Sequence, residues 1–434
     1  MTDTELELPQ GWVLGRISDV VLNPKNDIVD GPFGSNLKST EYVDQGIPII
    51  RLQNVSRYQF INKNIRYVTK EKAEQLKRHS FLKNDIVMTK LGIPVGKACL
   101  VPEFLESGII VADILRMRVA EKFISKQFIL YLINSNFIIK QFAYNTKGTT
   151  RPRVNLTKFR NFLIPIPPLN EQKRIVDKIE ELFSKIDSTK QSLEYTKLQL
   201  ELYKLSFLES IFSEFEQKPL SRIAKIISGY SFKSKDFIHE GIPVIKISNI
   251  SYGKFIEKNQ EFLPISYLKK FEDFVVKPKN ILIALTRPIT NDTVKICEYP
   301  EDNPISLLNQ RVAKIELLNK FPRKLILYYF QSHNFKDQII QNMTGTEQPN
   351  LSPLKLANFL CPFPPLEKQE QIVSQIEQGF SLIENTSKIV ESTLQNLQTM
   401  KMSVLKQAFE GKLVPQDPND EPASVLLEKI KLKN

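Results

Sequence analysis

A stretch of about fifty residues occurs twice in this chain, and it limits the possible folds more than any other feature. Pro165-Ile-Pro-Pro-Leu-Asn-Glu-Gln-Lys-Arg-Ile-Val-Asp-Lys-Ile-Glu180 returns as Pro362-Phe-Pro-Pro-Leu-Glu-Lys-Gln-Glu-Gln-Ile-Val-Ser-Gln-Ile-Glu377, with nine of sixteen positions identical at an offset of 197. Proline donates nothing to a β-ladder and disfavours helix in the residue before it, so each proline run ends an extended segment. Asn170 suits an N-cap, and Glu171 suits the positive end of a helix dipole.

A heptad follows in each copy. Ile179, Ile186, Leu193, Leu200 and Phe207 are spaced by seven, with Ile175, Leu182, Thr189, Thr196 and Tyr203 four residues before each. The second copy gives Ile376, Ile383, Val390, Leu397 and Val404, preceded by Ile372, Gly379, Thr386, Thr393 and Met400. An apolar repeat of 3.5 residues held over five heptads makes a narrow seam that needs a partner helix. Both copies place Thr at the same central positions, so the simplest partner for either helix is the other. At ~1.5 Å per residue the pair forms a rod of about 60 Å, which would set a distance. In an antiparallel pair, facing residue numbers have a constant sum. The expected register has a sum of 579, which sets every Thr against an aliphatic and Leu200 against Gly379; its competitor, a slip of one heptad to 586, sets Phe207 over Gly379 instead.

The repeat extends beyond these helices. Gly46-Ile-Pro-Ile-Ile-Arg-Leu-Gln-Asn-Val-Ser56 returns as Gly241-Ile-Pro-Val-Ile-Lys-Ile-Ser-Asn-Ile-Ser251, and Asp85-Ile-Val-Met-Thr89 as Asn280-Ile-Leu-Ile-Ala284. Alternation after a Gly-x-Pro turn reads as β-strand. Short helices are predicted near Lys70–Phe81 and Pro264–Phe274, and longer ones over Ser125–Tyr144 and Pro322–Gln341. The layout is therefore module (1–168), helix (169–215), module (216–365), and helix with tail (366–434). Scaffold matches between the modules, but loops do not: Leu91-Gly-Ile-Pro-Val-Gly96 stands against Thr286-Arg-Pro-Ile-Thr290, and Asp30-Gly-Pro-Phe-Gly-Ser-Asn-Leu-Lys38 against Ser228-Gly-Tyr-Ser-Phe-Lys233.

The net charge of +12 is confined to the modules. Residues 1–168 hold 24 Lys and Arg against 15 acids, and residues 216–365 hold 21 against 14. The two helical segments hold 7 against 9 and 8 against 10. Basic surface limited to two modules points to a polyanion read at two places. Three cysteines without a Cys-x-x-Cys argue for a reducing compartment and against a zinc site or disulfide framework. Cys99 and Cys297 fall at nearly equivalent places, as buried strand residues would. The acidic start lacks a signal-peptide pattern and no apolar run is long enough to cross a bilayer, so a cytoplasmic location is expected. There is no phosphate-binding Gly-rich loop, no metal-ligand cluster and no methyltransferase tetrapeptide, so neither a catalytic nor a metal site is expected.

Over essentially its whole length the chain resembles the specificity subunit of type I restriction–modification systems. The resemblance rests on the doubled Pro-x-Pro-Pro-Leu-x-x-Gln-x-x-Ile-Val, the openings Leu8-Pro-Gln-Gly-Trp12 and Leu220-Ser-Arg-Ile223, and the Gly-Ile-Pro-x-Ile-x-x-x-Asn segments. The ending Phe409-Glu-Gly-Lys-Leu-Val-Pro-Gln-Asp-Pro-Asn-Asp-Glu-Pro-Ala423 adds to it. The second module departs by lacking the Trp. The resemblance implies an α+β fold: two similar mixed α/β target-recognition domains, related by a pseudo-twofold repeat and separated by two long helices in an antiparallel coiled coil. Each domain would read half of a split site in double-stranded DNA. The helices would fix the gap and dock two adenine-methylating modification subunits and, through them, restriction (motor–nuclease) subunits. S-adenosylmethionine, ATP and magnesium would belong to those partners, with no cofactor in this chain.

Arg pairs bidentately with guanine, and Asn and Gln with adenine. Candidate DNA contacts are Lys38, Arg51, Arg57, Lys147, Arg151 and Arg153 in the first module, and Lys233, Lys246, Arg287, Gln348 and Asn350 in the second. A coiled-coil interaction scaffold that never meets DNA is the rival reading; it leaves the confinement of charge unexplained. A self-contained restriction enzyme would need methyltransferase and nuclease motifs that the sequence lacks.

Overall fold

The computed structural model describes residues 7–34, 36–92, 94–145, 153–258, 260–318, 321–345 and 347–433. The chain forms two compact units, 1–192 with 392–434, and 193–391. The two long helices, Leu169–Ser213 and Leu366–Phe409, each give one half to either unit.

The first unit holds two four-stranded sheets. One orders the strands Ile28–Asp30, Ile114–Met117, Ile86–Thr89 and Ala98–Leu100, all antiparallel. Every residue of Ile86–Thr89 is buried, which is why it reads as an apolar run rather than an alternation. The other orders Arg66–Val68, Ile47–Ile50, Ser107–Ile110 and Ser80–Leu82, and its two central strands run parallel. Cys99 pairs with Val87 in the first of these sheets and is fully buried. The proline segment forms the strand Leu163–Ile166, paired with Val13–Arg16, and feeds directly into the first long helix.

The second unit repeats this topology: Ala224–Ser228, Val312–Leu317, Ile281–Ala284 and Ile296–Glu298 in one sheet, and Glu261–Leu263, Ile242–Ile245, Ser306–Leu308 and Val275–Val276 in the other. Again the two central strands, Ile242–Ile245 and Ser306–Leu308, run parallel. Buried cations recur at one position. Arg116 donates to the carbonyls of Ser80 (3.2 Å) and Asn26 (3.0 Å), and Lys314 to that of Val275 (2.7 Å). Backbone carbonyls thus solvate charges that would otherwise be costly to bury.

Three local expectations need correction. The helix expected over Ser125–Tyr144 is two, Lys126–Ile133 and Asn136–Asn145. Asn134 between them is fully buried and clamps the backbone of Ala98, accepting from its N–H (3.2 Å) and donating to its carbonyl (3.0 Å). Its counterpart divides likewise, into Arg323–Tyr329 and His333–Asn342. The short helices span only Lys70–Gln75 and Tyr267–Lys270 before tightening into 3-10 turns. Asn170 is not an N-cap, because the helix already begins at Leu169; its amide donates to Asp420 at 3.1 Å. The repeated Gln of the helix start has a physical reason. Gln172 accepts from Ser125 N–H (2.8 Å) and donates to the Pro167 carbonyl (2.9 Å). Gln369 makes only the second type of bond, to Pro364 (3.0 Å); Pro322 stands where Ser125 does and has no N–H to give.

Within each unit the long helices pair antiparallel. In the second, Lys197 meets Glu391 at 2.5 Å, and the ring of Phe207 lies 2.4 Å from where a Gly379 Cβ would stand. In the first, Lys401 meets Asp187 at 2.6 Å and lies 4.8 Å from the centre of the Phe183 ring. The pairing of Phe207 with Gly379 is the 586 register, not 579. It keeps Thr196 opposite Val390 and Thr189 opposite Leu397, and it also gives the Phe207 ring the room that any side chain at 379 would take. Ile175, Ile179, Ile186, Ile372, Ile376, Ile383, Val390 and Leu397 are buried, and Leu182, Leu193, Leu200, Phe207 and Val404 are half-buried. Tyr203 and Met400, expected in the seam, are mostly exposed. Toward the modules the helices bury further residues against the domain cores, including Phe183, Leu208, Phe212, Leu405 and Phe409.

Candidate nucleic-acid interface

Because the two central strands of each module are parallel, both deliver their following residues to one edge of the sheet. In the first module those residues are 51–53 and 111–113. A buried Asn holds the edge in shape. Asn54 accepts from Arg51 N–H (3.0 Å) and donates to the carbonyls of Ile61 and Lys63 (3.0 Å each). Asn249 does the same for Lys246 N–H (2.9 Å), Ile256 (2.9 Å) and Lys258 (3.0 Å). This explains the Asn closing each Gly-Ile-Pro segment: a buried amide can accept one hydrogen bond and donate two at once, as a hydroxyl cannot.

At the first edge an open cleft of about 370 Å³ is lined by Leu37, Tyr42, Arg51, Gln53, Ala112 and Asp113 among others. Burial pushes the Tyr42 hydroxyl above its ordinary pKa, so it stays a neutral donor. Arg51 turns its guanidinium to the Asn64 carbonyl. Beside the cleft, Arg153 is ion-paired with Asp113, and Lys90 with Asp30 at 2.5 Å. Lys38 is exposed and Arg57 half-buried. Lys147 and Arg151 lie outside the described residues.

The second edge carries different groups on the same frame. Lys246 pairs with Glu261 and lies over the Phe237 ring at 4.9 Å. Thr286 donates to the Asn350 amide oxygen (2.6 Å), whose NH2 donates to the Gln348 carbonyl (2.8 Å). The Asn350 side chain therefore shapes its own loop, while the Gln348 and Lys233 side chains are exposed. Arg287 is exposed with φ +49°, its N–H donating to the Pro349 carbonyl at 2.7 Å. Arg311 is exposed, and its carbonyl accepts from Leu285 N–H at 2.8 Å.

Asp113, Arg311, Gln53 and Gln310 belong to these edges and were not among the sequence candidates. A signal for them existed: Asp113 and Arg311 directly precede the matching runs Ile-Leu-Arg-Met and Val-Ala-Lys-Ile, yet differ in charge sign. The chemistry of both edges is hydrogen bonding and charge. Burial pushes the thiols of Cys99, Cys297 and Cys361 up to about 12, so they stay protonated and unreactive. Among the described residues no group of His, Cys, Asp or Glu could hold a metal ion. No helix among them is long and apolar enough to cross a membrane.

Known proteins match most of the chain. The family described as "Type I restriction modification DNA specificity domain" matches residues 10–196 and again 213–393. The MjaVIII specificity subunit of Methanocaldococcus jannaschii is 26% identical over 94% of each chain. The StySPI specificity subunit of Salmonella potsdam is 23% identical over 98% of this chain and 96% of its own. Among solved structures, the HsdS subunit from Thermoanaerobacter tengcongensis shares the fold, with TM-score 0.62 and 21% identity over 95% of this chain and 100% of that one. A chain described under "complex assembly and conformational transition of the type I R-M system" aligns with TM-score 0.63 and 20% identity, over 94% and 99%. With two copies of the family's domain filling most of its length, the chain belongs to the type I restriction–modification DNA specificity family.

Proposed function

We propose that this chain is the sequence-reading subunit of a type I restriction–modification complex, each module recognising one half of a split site in double-stranded DNA. One observation carries the reading: the same Asn-stapled edge recurs in both modules with unlike side chains upon it. A frame kept constant while its contact groups vary is what two readers of different base sequences require. The excess positive charge of both modules supplies sequence-independent attraction to phosphate.

The long helices carry the protein partners. In the second unit Tyr195, Leu198 and Leu202 stand at helical spacing on the first long helix with well over half of each exposed, as do Leu382 and Ile389 on the second. Apolar residues exposed in rows on a helix that already has its seam partner fit a further helical surface. We assign this face to a methyltransferase subunit, two of which would bind per chain, with the restriction subunits reached through them. S-adenosylmethionine, ATP and magnesium would be used by those partners, and this chain would act without a catalytic group of its own. The test is methylation mapping of DNA from cells expressing the chain with a methyltransferase subunit. A split site with one adenine modified in each half is expected. Methylation without a split site, or none with the assembly intact, would favour a scaffold that does not read DNA.

A further inference from the structure

We propose that Arg287 and Arg311 are the groups with which the second module reads guanine, a proposal that rests on the DNA-reading function above. Both leave the edge formed by adjacent strands. Arg311 directly precedes Val312–Leu317, and its carbonyl receives the N–H of Leu285, the first residue beyond Ile281–Ala284. Arg287 follows two residues later on that same outgoing segment. Both side chains are exposed, and neither forms an ion pair among the described residues.

The first module, position for position, lacks this pair. Leu91 bridges to Arg153 as Thr286 bridges to Asn350, so Gly92 is the counterpart of Arg287. Lys90 N–H meets the Asp113 carbonyl as Leu285 N–H meets that of Arg311, so Asp113 is the counterpart of Arg311. Two cations at this place in the first module, Arg153 and Lys90, are both held by carboxylates.

The backbone adds an independent reason. Gly92 has φ +121° and Arg287 has φ +49°, the left-handed region that glycine enters freely and a side-chain-bearing residue enters at a cost. Arg287 bears this cost on an exposed turn while its side chain makes no ion pair among the described residues, so the fold does not account for the side chain. A planar guanidinium presents two parallel donors matching O6 and N7 of guanine in the major groove, and this is the recognition that fits an arginine free of carboxylates.

The experiment recovers and sequences duplexes bound from a random pool, at fixed salt, by the full chain assembled with methyltransferase subunits. Wild type, Arg287→Gly and Arg311→Gln are compared. Each variant should lose about 10- to 100-fold of its preference at a single G·C pair, both pairs lying in the same half-site, with the other half unchanged. Arg287→Gly should keep or raise the melting temperature, because glycine relieves the turn; a fall would mark a structural arginine and count against the proposal. Variants that keep both half-sites of a split-site wild type overturn the inference and leave the proposed function standing. A loss of affinity equal for all sequences assigns the arginines to phosphate and also overturns it. A wild type that selects no split site overturns the DNA-reading function itself, and the inference with it.

Discussion

At the reading edge of the first module Arg153 is held by Asp113 and Lys90 by Asp30, whereas in the second Arg311 stands where Asp113 does, free of any ion pair among the described residues. Beneath this difference the frames agree down to a buried amide: Asn54 and Asn249 bind the same three backbone groups of their own turns. Duplication has kept the groups whose replacement would leave buried polar atoms unpaired. It has released those that face outward, where a change of charge costs the fold little.

The largest effect should come from breaking the shared frame. Asn249→Ala would remove the buried amide that pairs two carbonyls and one N–H of its part-buried turn, at about 2 kcal/mol. We expect a lower melting temperature and weakened recognition of one half-site, and the mirror result from Asn54→Ala. Next is the seam. Gly379→Leu would drive a side chain into the Phe207 ring, at about 1–3 kcal/mol. Adding Phe207→Ala should recover much of that loss; in the 579 register the two positions would not couple, and a double-mutant cycle in thermal melts separates the cases.

A smaller effect sharpens the contrast between the edges. Asp113→Asn would release Arg153 from its ion pair and make the first edge resemble the second. Arg153 is about half exposed, so stability should change by less than ~1 kcal/mol. Base preference in one half-site should nevertheless change, as read by duplex selection. The smallest effect lies on the first long helix. Hydrogen bonds from Lys178 and Lys185 hold the Glu181 carboxyl down to about 2. A depressed folded pKa contributes stability above the ordinary carboxylate range, lost as pH falls from about 4.5 toward 2. Glu181 is exposed and its partners are solvated, so Glu181→Gln should flatten the acid limb of a pH-melting curve only slightly.

The frame was legible in the sequence because it is repeated. The proline runs, the heptads and the Gly-Ile-Pro strands could be read from periodicity and offset alone. The helix register was not, because two alignments satisfied the Thr positions equally; the ring of Phe207 against the missing side chain of Gly379 decides between them. The reading edges were harder still. Arg51, Lys246 and Asn350 carry suitable chemistry, yet their side chains bond the Asn64 carbonyl, Glu261 and their own loop. Arg311 was missed because its place depends on two strands distant in sequence. The hairpin Ile289–Thr290 with Thr293–Val294 accompanies a shift of the repeat, from Val87 matching Leu282 to Cys99 matching Cys297.

The central claim, two independent readers on one repeated frame, is tested most directly by replacing residues 216–365 with the corresponding module of a relative and mapping methylated sites in cells that also express the methyltransferase subunit. The account predicts that one half of the site changes to the donor's while the half read by residues 1–168 persists. If both halves changed, or neither did while methylation continued, the two modules would not be separate readers.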